Sequence, residues 1–425
     1  MVSLLFYSDI EDGYDDPDRI GRFCGLAQVL SDEETLVIGG GDSIGPSLLS
    51  TQTAGRHAVD FYERVGTDIE VFGNHEFDFG LEPLKEVIRA SPQTWVTANL
   101  HEAGTEHRFA ADIGVESSVT YHVGDTKIGI FGVTHGSIGD IAPNADGLTT
   151  SGPVATACRI SKQLRNDGVD VVVGVAHTDR TDEIVSEADI DVLLAGHVNE
   201  RLERRVDGTL IVRTIGSAKE IVEISIDGSR FSVTHHPVQA APVDEQAVAS
   251  LRSYEDERKM DASIDCTDAP IDIENRMFDS VVAEALRHES GADIGLINRD
   301  AVRDEPQLHS RMTSGEILRA IPFPQPAVVV EVSGRELLEV VDNSMSSGDE
   351  SENIAYSGLT IDETSEGSTV HIDDDPVEED GTYTIATLAF VIESNRTFGP
   401  VDENHLVETI GPQHECIVNY LTGGS

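Results

Sequence analysis

Six short apolar runs, each closed by a polar residue, recur through the first 240 residues: SLLFYSD, TLVIGGGDS, IEVFGNHE, KIGIFGVTH, VDVVVGVAHTD and DVLLAGHVN. Each has the length of a β-strand and is rich in Val, Ile or Leu, and longer stretches with helical spacing lie between them. Strands apolar on both faces need cover on both sides, so this alternation predicts an α/β fold whose sheets are flanked by helices. Ligands of such sheets gather beyond the carboxyl ends of the strands, which is where the closing Asp, Asn and His residues stand.

The pattern changes after RTIGSAKEIVEISIDGSRFSVTHHPVQA, which reads as a small strand meander. DEQAVASLRSYEDERKM has helical spacing and high charge, as expected of a helix joining two domains. The expected division is a first domain over residues 1–240, a linker helix over 241–261 and a second α/β domain over 262–425. In the second domain FDSVVAEALRHES, TSGEILRAI and GRELLEVVDNSM read as helices, and ADIGLIN, AVVVEVS and GTYTIATLAF as strands. The polar SSGDESEN and the acidic HIDDDPVEEDG read as solvated loops. There is no internal repeat.

Charge narrows the partners. The 78 acidic and 29 basic residues among 425 give a formal net charge of −49, which repels nucleic-acid polymers and anionic membranes. Only five lysines occur, none after Lys259, and the acidic residues are spread along the chain. This composition resembles that of haloarchaeal proteins, and it describes solvent conditions more than function. Cys24, Cys158, Cys266 and Cys416 lack the paired spacing of a zinc or redox motif and read as reduced thiols. The first residues run directly into a strand without a cleavage signal, and no apolar run reaches membrane-spanning length; a cytoplasmic protein is the expectation.

Five of the six strand exits carry groups able to bind a divalent cation: Asp9 with Glu11, Asp42, Asn74, His177, and His197 with Asn199. Any one of them alone suits a turn or a cap. Together, oxygen donors and imidazoles at one sheet edge can hold two cations with a carboxylate between them. VFGNHEFDFG adds His75 and Asp78, and turn formation does not account for an imidazole with a carboxylate three positions later.

These residues, in the order Asp9-x-Glu11, Gly41-Asp42, Gly73-Asn74-His75-Glu76, His177 and Gly196-His197-Val198-Asn199, resemble the calcineurin-like metallophosphoesterase superfamily. GNHEFDFG and the second domain narrow the resemblance to the two-domain 5′-nucleotidase family, over nearly the whole chain. The resemblance implies a four-layer α/β/β/α metallophosphoesterase sandwich followed by a C-terminal α/β 5′-nucleotidase-type domain. It implies that Asp42 bridges two divalent metal ions, that Asn74, His177 and His197 complete one site, and that Asp9 serves the other. Family members have His where Glu11 and Asn199 stand, so the first site becomes Asp9, Glu11, Asp42 and Asn199, harder than usual and tilted toward Mn²⁺ or Mg²⁺ over Zn²⁺. His75, held by Asp78, would then stabilise the charge of the transition state or protonate the leaving group, while a metal-bridging hydroxide attacks phosphorus. Glu76 is expected to cap the following turn.

The resemblance also places the other end of a nucleotide. Asn298 and Arg303 match residues that contact sugar or phosphate, and Phe323 and Phe390 match two aromatics that sandwich the base. Where members of the family carry a glycine-rich loop with an Asp for the ribose, this chain has VIESNRTFG and a cation, Arg396, which would favour a second anionic group. The expected activity is hydrolysis of a nucleotide phosphomonoester. The alternatives are a cyclic-nucleotide phosphodiesterase, a nucleotide-sugar hydrolase, or a nucleotide sensor with a degraded metal site.

Overall fold

A computed structural model describes residues 2–258, 263–266, 276–303, 308, 311–345, 354–364, 367–394 and 399–423. The chain divides into two compact units, Met1–Arg258 and Lys259–Ser425.

The first unit is built on two six-stranded sheets. One runs in the order Arg230–Pro237, Glu220–Asp227, Val2–Tyr7, Thr35–Gly39, Ile69–Val71 and Thr94–Val96. Its last four strands are parallel, and the stretch read as a small strand meander supplies the antiparallel hairpin that extends the same sheet. The other sheet has the order Leu202–Val206, Thr209–Arg213, Val192–Ala195, Val171–His177, Thr126–Thr134 and Ser118–Val123, with its four inner strands parallel.

Side-chain alternation along each strand assembles the layers. Leu4, Phe6, Ile38 and Val71 of one sheet pack with Ile130, Val173, Leu194 and Val212 of the other. Leu5, Tyr7 and Val37 point the opposite way, onto Phe23 and Ala27 of the helix Pro17–Leu30 and Phe61 of His57–Val65. On the outer face of the second sheet, Phe131, Val133, Val172 and Ile211 meet Ile160 and Leu164 of Pro153–Asn166 and Ile184 of Thr181–Glu187. The result is the expected α/β/β/α sandwich.

The helix expected to join two domains, Glu245–Arg258, belongs to this first unit. Its Ala247 and Leu251 are buried in the cluster that includes Phe23. The segment leading into it crosses so close to Pro17–Leu30 that a Cβ on Gly25 would overlap the Pro242 carbonyl. Charge on its outer face had suggested a solvated connector, whereas a narrow apolar stripe is enough to dock it.

In the second unit a five-stranded sheet has the order Ile354–Ser357, Ile294–Asn298, Thr382–Leu388, Pro326–Ser333 and Leu406–Pro412. The helices Phe278–Ser290 and Gln413–Leu421 share its apolar core. Ser314–Ala320 starts with a capping box in which the Thr313 side chain and Glu316 satisfy each other's backbone N–H groups. HIDDDPVEEDG is not all loop: Gly367–Ile372 pairs with Asp375–Pro376 around Asp373 and Asp374, both with positive φ, a conformation that Asp tolerates better than most residues. SSGDESEN lies outside the described residues, as does Arg396. Among the described residues no helix is long and apolar enough to cross a membrane.

Candidate metal centre

The first unit gathers its polar residues at the carboxyl edge of both sheets. Asp9, Asp42 and Asn74 stand two or three residues beyond three neighbouring parallel strands, His177 ends its strand, and His197 follows Val192–Ala195 by two. Asp9, Glu11, Asp42 and His197 all have positive φ, at 54°, 41°, 50° and 76°. Such backbones persist only where the surroundings over-determine them, and here hydrogen bonds do so. The His75 N–H donates to Asp42 Oδ1 at 2.8 Å, and the His197 N–H donates to Asp9 Oδ1 at 3.0 Å. The glycines of the motifs permit the crowding: a Cβ on Gly73 would overlap the Asp42 carboxylate, and one on Gly196 would overlap the Ser8 hydroxyl.

Two donor groups share one carboxylate. Asp9, Glu11 and Asp42 form one, and Asp42, His177 and His197 the other; within each group the donor atoms lie within 4.8 Å of one another. His177 is fully buried, with Nδ1 at 2.8 Å from the Gly40 carbonyl and Nε2 at 2.9 Å from Asp42 Oδ2. His197 Nδ1 lies 3.1 Å from Asn74 Oδ1, which brings Asn74 to the second group. Asn199 Nδ2 donates to Glu11 Oε1 at 3.4 Å, beside the first. These oxygen and imidazole donors, packed together with few protons to share, fit divalent cations: Asp9, Glu11, Asp42 and Asn199 would hold one, and Asp42, Asn74, His177 and His197 the other.

Electrostatics shows the strain of assembling these groups. Burial opposes charge on His177, yet Asp42 and Asp9 together lift its pKa to about 10. For His75 burial is likewise outweighed, by Asp78 and then Asp42, and the value rises to about 9. Burial, and then His177, drives His197 down to about 4, which leaves it the neutral ring a cation needs. Two raised histidines stabilise the metal-free fold fully below their ordinary value of 6.5, and that contribution is lost as pH climbs through 9 and 10. The melting temperature of chelator-treated protein is therefore expected to fall across that window, and differential scanning calorimetry at stepped pH checks it. A flat profile would contradict the assignment.

His75 and Asp78 form the expected pair, with Nδ1 at 3.1 and 3.0 Å from the two carboxylate oxygens. Glu76 does something else than cap the following turn. Its carboxylate accepts the N–H groups of Gly73 at 2.7 Å, Asp42 at 2.9 Å and Ser43 at 2.8 Å, tying two ligand loops together. Sequence reasoning missed its companion, Glu70. Fully buried, Glu70 accepts the Tyr7 hydroxyl at 2.9 Å, the Gly41 N–H at 3.0 Å and the Ser43 hydroxyl at 3.3 Å. A lone acid inside the apolar run IEVFG was the available signal. His135, which closes the KIGIFGVTH run, also lies at this edge, with its ring centroid 5.9 Å from that of His197.

In the second unit Asn298 ends its strand, 7% exposed, with Oδ1 buried and no hydrogen-bond partner among the described residues. Arg303 lies with its guanidinium 5.4 Å from the centroid of the Phe323 ring, so that two of the expected substrate residues meet. Gln413 Nε2 donates to the Phe323 carbonyl at 2.7 Å. Phe390 follows Thr382–Leu388, the parallel neighbour of Ile294–Asn298, and so shares an edge with Asn298.

Comparison with known proteins matches residues 260–401 to the family described as 5′-nucleotidase, C-terminal domain. The fold is similar to that of the 5′-nucleotidase precursor from Thermus thermophilus, with a TM-score of 0.79 at 17% identity, covering 99% of this chain and 96% of that one. It is also similar to the 5′-nucleotidase of Candida albicans, with a TM-score of 0.71 at 12% identity over 100% and 98% of the two chains. Among curated proteins, Endonuclease YhcR of Bacillus subtilis is 23% identical over 84% of this chain and 33% of its own length. The 2′,3′-cyclic-nucleotide 2′-phosphodiesterase/3′-nucleotidase of Haemophilus influenzae is 32% identical over 31% of this chain and 21% of its own length. The chain thus spans less than two thirds of these curated relatives. The second unit thus carries the match to the 5′-nucleotidase C-terminal domain, and the chain as a whole has a fold similar to that of these two 5′-nucleotidase structures.

Proposed function

We propose that the chain is a metal-dependent phosphomonoesterase that hydrolyses a nucleotide to a nucleoside and phosphate. The observation that carries this reading is a single buried carboxylate, Asp42, shared by two donor groups with the His75–Asp78 pair beside it. Two divalent cations, when bound, would supply an activated water and neutralise the phosphoryl oxygens. Asp9, Glu11 and Asn199 make one site oxygen-rich, which favours Mn²⁺ or Mg²⁺. Asp78 fixes Nδ1 of His75 and directs Nε2 away from itself, so that the imidazolium can meet the charge that develops on phosphate or hand a proton to the departing alkoxide. Asn298, Arg303, Phe323 and Phe390 would hold the nucleoside end, Arg by its planar fork and Phe by stacking on the base.

A second reading has its own support. The segment similar to the Haemophilus enzyme suggests that 2′,3′-cyclic nucleotides and 3′-nucleotides belong among the candidates. The expected result is release of phosphate from AMP or another nucleoside monophosphate, lost on chelation and restored by Mn²⁺. A panel of 5′-, 3′- and 2′,3′-cyclic nucleotides, a nucleotide sugar and an aryl phosphate, with elemental analysis of the same preparation, decides between the readings. Tight nucleotide binding with neither metal nor turnover would defeat both.

A further inference from the structure

The sheet of the second unit brings four of its strands to one edge. Ile294–Asn298 runs parallel to Thr382–Leu388, and Pro326–Ser333 runs antiparallel both to Thr382–Leu388, with Ala327 level with Leu388, and to Leu406–Pro412, with Pro326 level with Pro412. Asn298, Phe390, Phe323 and Gln413 therefore stand at the same edge: Asn298 ends its strand, Phe390 and Gln413 follow theirs, and Phe323 comes three residues before Pro326. Phe323 belongs to IPFPQP, whose prolines at 322, 324 and 326 have fixed φ and no N–H, and Pro324 keeps Phe323 extended. Such a stretch is stiff but has few donors with which to fasten itself to its surroundings. Gln413 supplies a fastening from the helix Gln413–Leu421: its Nε2 donates to the Phe323 carbonyl at 2.7 Å, and the residue is 1% exposed. Its Oε1 is buried with no hydrogen-bond partner among the described residues. An apolar side chain of the same length would fill the place without leaving an acceptor unmet, so what the amide contributes is its one bond. The other side of the contact is anchored too: the Arg303 N–H donates at 2.8 Å to the carbonyl of Ala320, which ends Ser314–Ala320, and the Arg303 guanidinium lies 5.4 Å from the Phe323 ring.

We propose that Gln413 is a positioning residue that sets Phe323, through its backbone carbonyl, against Arg303 and so fixes the surface on which a nucleoside stacks. The inference rests on the reading above that Phe323 and Arg303 hold the nucleoside end, and it adds the helix Gln413–Leu421 to that site. A ring already in place when the nucleoside arrives binds it in ground and transition states alike, so loss of the bond acts on KM more than on kcat.

The test uses the metal-loaded, full-length protein with adenosine, AMP and inorganic phosphate. Gln413→Met keeps the length of the side chain and removes the donor, while Cys416, Ile417 and Tyr420 still seat the helix in the core. The dissociation constant of adenosine, measured by calorimetry, is expected to rise about fivefold and KM for AMP by the same factor, with kcat changed by less than about twofold and the affinity for inorganic phosphate unaltered. Gln413→Leu is the second variant and should give the same pattern. In a Phe323→Ala background either substitution should have no further effect on adenosine, because a residue that acts through the ring has nothing left to act on. A general loosening of the second unit would instead add its loss in both backgrounds, and that result would overturn the inference. So would adenosine affinity unchanged in both Gln413 variants while Phe323→Ala weakens it, which would leave the reading of the nucleoside end standing. Phe323→Ala without effect on adenosine would defeat that reading and the inference with it. If AMP were bound but not turned over, the phosphoesterase reading would fail, while the adenosine titration would still decide the role of Gln413.

Discussion

Asp42→Asn is expected to lower kcat/KM for a phosphate ester roughly 10⁴-fold and to leave the chain folded. Asn retains what the fold asks of this position. It tolerates the left-handed backbone at φ 50°, and its side-chain oxygen can still accept the His75 N–H. What it lacks is charge. Burial works against the Asp42 carboxylate, yet His177 and His75 hold it ionised, well below the ordinary range. A formal charge on a side chain as enclosed as Asp42, which is 2% exposed, makes sense if cations are to be shared there. Elemental analysis should therefore show the two donor groups emptying together, because Asp42 belongs to both. Full metal content with activity within tenfold of the parent would remove the shared-carboxylate premise on which the proposed chemistry stands.

Much of this centre was legible because its chemistry sits at chain positions that strand geometry dictates. A strand-length apolar run closed by a donor residue places that donor at a sheet edge without knowledge of the sheet order; Asp9, Asp42, Asn74, His177 and His197 all stand at such exits, with Gly directly before Asp42, Asn74 and His197. The less legible residues work through partners distant in sequence. Glu70 and Glu76 lie six positions apart, but their significance comes from the loop at Gly41–Ser43, whose backbone they hold. His135 resembles any polar residue that closes a strand until the register beside His177 is known. In the second unit the pairing of Arg303 with Phe323 depends on a guanidinium meeting a ring that follows the helix Ser314–Ala320, which spacing does not disclose. The helix Glu245–Arg258 misled for a related reason: its composition is that of a solvated connector, and only the packing of Ala247 and Leu251 assigns it to the first unit.

His75→Ala should lower kcat by about 10²- to 10³-fold while KM stays within about threefold, because the imidazolium is asked to act where charge develops and not where substrate is first held. The pattern across substrates separates its two possible duties. An alkoxide leaving a ribose is a poor leaving group and needs a proton, whereas a nitrophenolate departs without one. A loss confined to the nucleotide would identify proton donation, and an equal loss on both substrates would identify stabilisation of phosphoryl charge. Asp78→Asn sharpens the distinction: burial opposes the His75 cation, and Asp78 is the foremost group that raises its pKa to about 9. Without Asp78 the imidazolium gives up its proton at lower pH, so in a donor mechanism the alkaline limb of the rate profile moves downward. In the electrostatic mechanism the same limb moves for both substrates together. Turnover unaffected by His75→Ala in metal-replete enzyme would leave the His75–Asp78 pair a structural feature of the loop, and the reaction would have to draw its acid from elsewhere.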